Sequence, residues 1–385
     1  MYLVKNATLY TPKMAGTGDI LVCGSTIAAV DANVTASLPD LEILDATGCI
    51  VTPGFIDQHI HLLGGGGDEG PSSRVPEITV SQLAACGTTT VVGVCGFDTL
   101  TKTMPALLAK VHALKQEGLS AWMYSGSYAF PPTTLTRSVS EDIFLVPEVL
   151  GIKIAFADRN AFFPTPDELL RLLGEIRGSG LIAGKTAVLH LHMGGLPDGF
   201  TTLSTLIDRG VAPAHIRPTH CARFAETFDT ELDFMRRGGV IDLTSGVGCF
   251  TSIAEVLRRI ASENIPTRNV TMSTDGVGRV PRYDGNGNIT GFRVAPASAN
   301  LAAVREAVMR DTMPLEDILP LVTANVARHL NLQGKGRIAP GMDADLCFFD
   351  RDLTLRHVMA MGRFVLRDGV VLAKSMFEEP PCCTT

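Results

Sequence analysis

Pro53-Gly54-Phe55-Ile56-Asp57-Gln58-His59-Ile60-His61 is a short apolar run that opens on a Pro-Gly break and closes on two imidazoles. In an extended strand, residues i and i+2 share a face, so His59 and His61 can meet one ion. Gly54–Ile60 is the first of eight such runs. The others are Thr89–Val94, Ala121–Ser125, Ile152–Phe156, Ala187–His192, Ile216–His220, Val240–Thr244 and Val270–Asp275. Helical patterns lie between them. Thr103 to Gly118 places Leu107, Leu108, Val111 and Leu114 on one face and stops at glycine. Thr165-Pro166-Asp167-Glu168 is a capping box with proline at the first helical position, followed by Leu169, Leu172, Leu173 and Ile176. Strands alternating with helices predict an α/β fold with a parallel sheet. Eight of them over residues 53–335 predict a closed (β/α)8 TIM barrel, with a doubly wound open sheet as the alternative.

The two ends have a different texture. Tyr2–Val4, Ala7–Tyr10, Asp19–Val22 and Thr26–Val30 are short strand patterns broken by Gly, Asn, Asp and Pro. Asp345–Phe349, Val358–Gly362 and Phe364–Leu366 repeat the pattern near the other end, with Asp368-Gly369 as a hairpin signal. Residues 1–52 and 336–385 are therefore expected to build one small β domain, a β-sandwich contributed by both chain ends.

Of the 385 residues, 45% are hydrophobic and 19% charged, which excludes general disorder. Lys+Arg 33 against Asp+Glu 40 leaves a net charge of −7, so the basic footprint of a nucleic-acid binder is missing. No run of 18 apolar residues free of charges or glycines occurs, so no membrane partner is expected. The opening Met1–Asn6 turns polar too early for a secretory signal. Nine cysteines without a CxxC pair, two of them adjacent at Cys382 and Cys383, suit a reduced cytoplasmic setting.

His59 and His61 end the first strand candidate, Lys153 lies in the fourth, His192 ends the fifth, His220 the sixth and Asp275 the eighth. Each of these has a structural alternative when taken alone: a packed core histidine, or Lys153 pairing with Asp158. In a barrel, however, those strand ends converge on the rim where active sites form. Four imidazoles and a carboxylate exceed one zinc with an open position, and predict two metal ions.

The stretch from Pro53 to His61, with the later Lys, His, His and Asp, resembles the amidohydrolase superfamily of binuclear metallohydrolases. His61-Leu62-Leu63-Gly64-Gly65-Gly66-Gly67, Glu117–Met123, Pro218-Thr219-His220 and Gly334-Lys335-Gly336 resemble the isoaspartyl dipeptidases (β-aspartyl peptidases) within it. The likeness implies that His59, His61 and Asp275 hold one Zn²⁺ and His192 and His220 the other, bridged by an Nζ-carboxylated Lys153. It implies attack by a metal-bridging hydroxide, with Asp275 moving the proton and Tyr128 donating to the oxyanion. Arg223 matches the arginine that holds a substrate carboxylate. Gly66 and Asp68 fall where the family holds the substrate amine, and Glu69 could exchange with Asp68 by a one-residue slip.

Three positions depart from the pattern: Phe97 replaces a threonine, Asp158-Arg159-Asn160 replaces Asp-His-Arg, and Arg279 replaces a serine. The second carboxylate-binding arginine is thus displaced to Arg159, supplied by Arg279, or lost. The resemblance implies a dipeptide substrate carrying an α-amino and an α-carboxyl group, and a homo-oligomer, with the octamer as one size it suggests. The enzymatic alternative is another superfamily amide hydrolase, such as an N-acyl-amino-acid deacylase or a cyclic imide or hydantoin hydrolase. A non-enzymatic scaffold built on the same barrel is the alternative from another class, and it should have shed the ligands that this sequence retains.

Overall fold

A computed structural model describes residues 1–284 and 289–378. Cys382 and Cys383 lie outside the described residues, as does the far end of the segment expected to complete the β domain.

The eight predicted runs are all strands: β1 (Phe55–Ile60), β2 (Thr88–Gly93), β3 (Ser120–Gly126), β4 (Val149–Phe156), β5 (Val188–Met193), β6 (Ile216–Thr219), β7 (Ile241–Thr244) and β8 (Val270–Ser273). Strands β1 to β6 pair in parallel in chain order, and β7 pairs in parallel with β8. Single parallel bridges, Cys221 to Leu243 and Ile60 to Gly276, join β6 to β7 and β8 back to β1. The ring is therefore sequential, as a barrel requires and a doubly wound sheet does not.

Helices fill the intervals. Pro166–Ala183 starts at the predicted capping box, with Thr165 and Glu168 exchanging hydrogen bonds, and stops at Gly184 in the left-handed region. The helix Met104–Gln116 is capped by Thr103 and buries Leu107, Val111 and Leu114. These faces meet the outward side chains of the strands, among them Met123, Ile152, Ile154, Leu189 and Leu191. The other side chains of each strand point into the ring, and there the residues turn polar: Lys153, His190, Arg217, Thr219, Asp242 and Thr271 are all buried.

Both chain ends contribute to one β structure, as expected, and the hydrogen bonds run through all nine of its strands as a single sheet. The join is Ile50–Pro53, parallel to Tyr2–Tyr10 on one side and antiparallel to Leu346–Phe349 on the other. Alternation of apolar residues marks strands but not their partners, so the sequence pattern left this pairing open. Lys335, in the Gly334-Lys335-Gly336 motif, fastens this sheet to the barrel. Its buried ammonium lies 2.5 Å from Asp345 Oδ2, 2.8 Å from Asp343 Oδ2 and 2.7 Å from Ser120 Oγ at the start of β3.

One element was not anticipated. Arg279–Tyr283 and Ile289–Val294 form an antiparallel hairpin after β8, and it contributes a wall of the site described next. Among the described residues, no helix is long and apolar enough to cross a membrane.

Candidate metal centre

The rim residues predicted from separate strands meet. His59, His61 and Asp275 present ligand atoms within 4.8 Å of one another, all three residues buried. Asp275 Oδ1 stands 3.0 Å from His61 Nε2 and 3.3 Å from His59 Nε2. His192 Nδ1 lies 2.8 Å from His220 Nε2, and the His59 and His220 rings are 5.2 Å apart, so the two groups adjoin. His59 Nε2 and Asp275 Oδ1 are buried without a hydrogen-bond partner. Unpaired buried polar atoms are costly, and a cation between them removes that cost. The donor set therefore fits a metal.

Electrostatics point the same way. Burial holds His190, His192 and His220 below the usual imidazole range and drives His59 down to about 3, so these rings are neutral and offer lone pairs. Burial alone would raise Asp275, but the His59 and His61 imidazoles beside it outweigh that and hold the carboxyl well below the usual carboxylate range. Burial brings the Lys153 ammonium down to about 8, which makes a neutral amine accessible. Lys153 does not pair with Asp158. Its Nζ donates to Cys95 O at 2.6 Å and sits 4.5 Å from the centre of the Tyr128 ring, while Asp158 Oδ2 faces His192 Nε2 at 3.6 Å.

The backbone is bent to deliver these groups. His220 and Asp275 have φ of 63° and 53°, in the left-handed region that non-glycine residues avoid. Each such residue costs on the order of 1–3 kcal/mol and persists only where its surroundings demand it. Both are rim residues at the ends of β6 and β8, which places the strain at the site.

The cavity above the centre is lined by His61, His192, His220 and Asp275, and by Tyr128, Gly66, Asp68, Arg223 and Arg279. The Tyr128 hydroxyl lies 2.9 Å from His192 Nδ1, and burial raises it well above the usual phenol range, so it remains a proton donor. Phe97 also lines the cavity and packs edge-on against Tyr128 at 5.9 Å. Two of the expected substrate contacts lie outside the cavity lining. Arg159 is exposed and is not among the lining residues. Glu69 is exposed too, approaching Arg279 only at 3.8 Å, whereas Asp68 lines the cavity and is bonded to the Arg279 guanidinium.

Some contributors were missed. Lys102 is buried and donates to the carbonyls of Gly64, Gly65 (2.8 Å) and Val75 (3.2 Å), pinning the glycine-rich loop that carries Gly66 and Asp68. Nothing local marks it, since its acceptors are backbone atoms 27 to 38 residues earlier. His190 lies 2.6 Å from His59 Nδ1 through its Nε2, and stacks on Tyr124 at 4.5 Å. Its i, i+2 spacing from His192 was the available signal.

Residues 251–372 match the Amidohydrolase family. A crystal structure of the β-aspartyl dipeptidase from Fervidobacterium islandicum AW-1, in complex with β-Asp-Leu dipeptide, superposes with a TM-score of 0.91 and 35% identity, covering 97% of this chain and 99% of that one. D-hydantoinase from Thermus sp. shares the fold, with a TM-score of 0.71 at 16% identity over 97% of each chain. Adenine deaminase 2 of Rhizobium etli is 29% identical over 91% of this chain and 54% of its own length. The chain thus spans about half the length of the curated relatives it first matches. Likeness at this level along nearly the whole of both chains decides the family: this chain belongs to the amidohydrolase superfamily and is related to the β-aspartyl dipeptidases.

Proposed function

We propose that this chain hydrolyses the isopeptide bond of β-aspartyl (isoaspartyl) dipeptides at a centre holding two Zn²⁺ ions. His59, His61 and Asp275 would hold one ion, His192 and His220 the other, with a carboxylated Lys153 between them. The observation that carries the proposal is the pairing of opposite charges over the centre: Asp68 and Arg279 face the cavity together, with Arg223 beside them. A β-aspartyl head presents an ammonium and a carboxylate on one carbon, and this set matches both.

The chemistry that the ions supply when bound is Lewis acidity, which polarises a carbonyl and makes water a stronger acid near neutral pH. The side chains do the rest. Asp68 receives the substrate ammonium and Arg279 the α-carboxylate, exchanging the pair they make with each other in the free protein for pairs with substrate, and Arg223 joins Arg279 on the carboxylate. Tyr128 donates its hydroxyl proton to the oxygen of the scissile amide as negative charge develops there. Asp275 takes the proton given up by the attacking water and passes it to the leaving amine as the C–N bond breaks. The products are aspartate and the second amino acid.

A second reaction fits one observation. Because Asp68 and Arg279 neutralise each other, Arg223 is the cation left facing the cavity, and a substrate with a single carboxylate, such as an N-acyl amino acid, would need no more. Blocking the amine separates the two. On β-Asp-Leu, Asp68→Ala and Arg279→Met should each raise KM about 10- to 100-fold with little change in kcat, a charged hydrogen bond being worth roughly 1.5–3 kcal/mol. N-acetyl-β-Asp-Leu should be a correspondingly poor substrate for the unaltered enzyme. Equal turnover of the acetylated and free dipeptides would favour the deacylase.

A further inference from the structure

Strand β7 offers no candidate ligand, yet its inward side chains reach the three strands that end in His59, His220 and Asp275. Asp242 is buried at 2% exposure. Its Oδ1 accepts from Gln58 Nε2 at 2.5 Å and from Thr271 Oγ1 at 2.8 Å. Its Oδ2 accepts from Thr219 Oγ1 at 2.7 Å and from Ser273 Oγ at 2.5 Å. The donors come from β1, β6 and β8. Gln58 immediately precedes His59, Thr219 immediately precedes His220, and Ser273 stands two residues before Asp275. One carboxylate thus ties together the backbone on which both halves of the centre are hung.

Its neighbour on the same strand face continues the pattern one layer higher. Thr244 Oγ1 lies 2.8 Å from His220 Nδ1 and 3.2 Å from His220 N, which leaves Nε2 of that ring aimed at His192. A barrel core can be filled by branched apolar side chains, and a buried carboxylate held by three hydroxyls and an amide is an expensive way to fill it. Four acceptor directions on one small group do something an apolar side chain cannot. They fix the register of three strand ends at once, including the two that leave their strands with φ of 63° and 53°. Among the described residues, β7 and β8 share a four-residue ladder, but β6 meets β7 and β8 meets β1 through one bridge each, Cys221–Leu243 and Ile60–Gly276, so the ladder alone holds those two junctions weakly.

We propose that Asp242 is a positioning residue for the metal centre: it holds β1, β6 and β8 in the register that lets His59, His220 and Asp275 bind zinc, without touching metal or substrate. The proposal rests on the two-zinc reading above, and its test separates the two. Asp242→Asn keeps the shape but replaces an acceptor oxygen with a donor. The measurements are zinc affinity by chelator competition, and the melting temperature of the metal-free and zinc-loaded protein.

The expected result is a 10- to 100-fold weaker zinc affinity, the range for groups that orient ligands, and a smaller zinc-induced rise in Tm. Thr219→Val and Ser273→Ala each delete one donor and should weaken zinc severalfold, which keeps the test open if the Asn variant does not fold. A fall in the metal-free Tm with zinc affinity unchanged in every folded variant would overturn the proposal, leaving Asp242 a core residue only. Absence of zinc binding by the unaltered protein would overturn the two-zinc reading and this proposal with it.

Discussion

Asp275→Asn is expected to lower kcat on β-Asp-Leu by about 10³- to 10⁴-fold, at the upper end of what a positioned acid–base group contributes. The carboxylate lies at the end of β8 with its Oδ1 3.0 Å from His61 Nε2 and 3.3 Å from His59 Nε2. The adjacent imidazoles keep it ionised despite burial, so it enters the reaction as an acceptor. An amide of the same shape retains one oxygen toward the metal but cannot take a proton from water or return one to the leaving amine. Steady-state kinetics with zinc content measured on the same sample checks this. A folded, zinc-loaded Asn variant with kcat within tenfold of the original would remove Asp275 from proton transfer.

Lys153→Met should have the next largest effect, and through a different quantity. Zinc affinity should fall by more than the 10- to 100-fold seen when only a group behind a ligand is lost, and turnover should fall with it. The fold should survive. Lys153 is completely buried, and replacing its ammonium with an apolar side chain of similar length removes a desolvated charge rather than a packed contact. The metal-free variant should therefore melt no lower than the metal-free original. Labelled bicarbonate should be incorporated at this position in the original protein and not in the variant. Zinc retained at full affinity by Lys153→Met would exclude the carbamate bridge.

Much of this was legible in the chain because periodicity and punctuation are local. The run ending His59-Ile60-His61 is β1, the capping box at Thr165 opens its helix, and the rim groups His192, His220 and Asp275 occur where β5, β6 and β8 end. What was not legible depends on where loops and inward side chains reach. Arg159 and Arg279 were equivalent candidates in sequence, and only the hairpin after β8 brings one of them, Arg279, over the cavity. That hairpin had its own signal in Asp284-Gly285-Asn286-Gly287, a turn-forming cluster between two strand-like runs. Asp242 had a weaker one, a lone carboxylate within the buried run Val240–Thr244, but its partners at 58, 219, 271 and 273 are not deducible without the closed ring. The pairing within the nine-stranded sheet was not legible for the same reason: which strands pair across three hundred residues is a tertiary fact.

The most direct test of the account is the rate of amide hydrolysis by zinc-loaded protein on four compounds side by side: β-Asp-Leu, α-Asp-Leu, N-acetyl-leucine and hydantoin. Cleavage of β-Asp-Leu alone, lost on removal of zinc and restored by its return, is the predicted result. Zinc-dependent turnover of N-acetyl-leucine or hydantoin with β-Asp-Leu untouched would contradict it, placing the chain in the same superfamily with Phe97 and Arg279 shaping a pocket for a different amide.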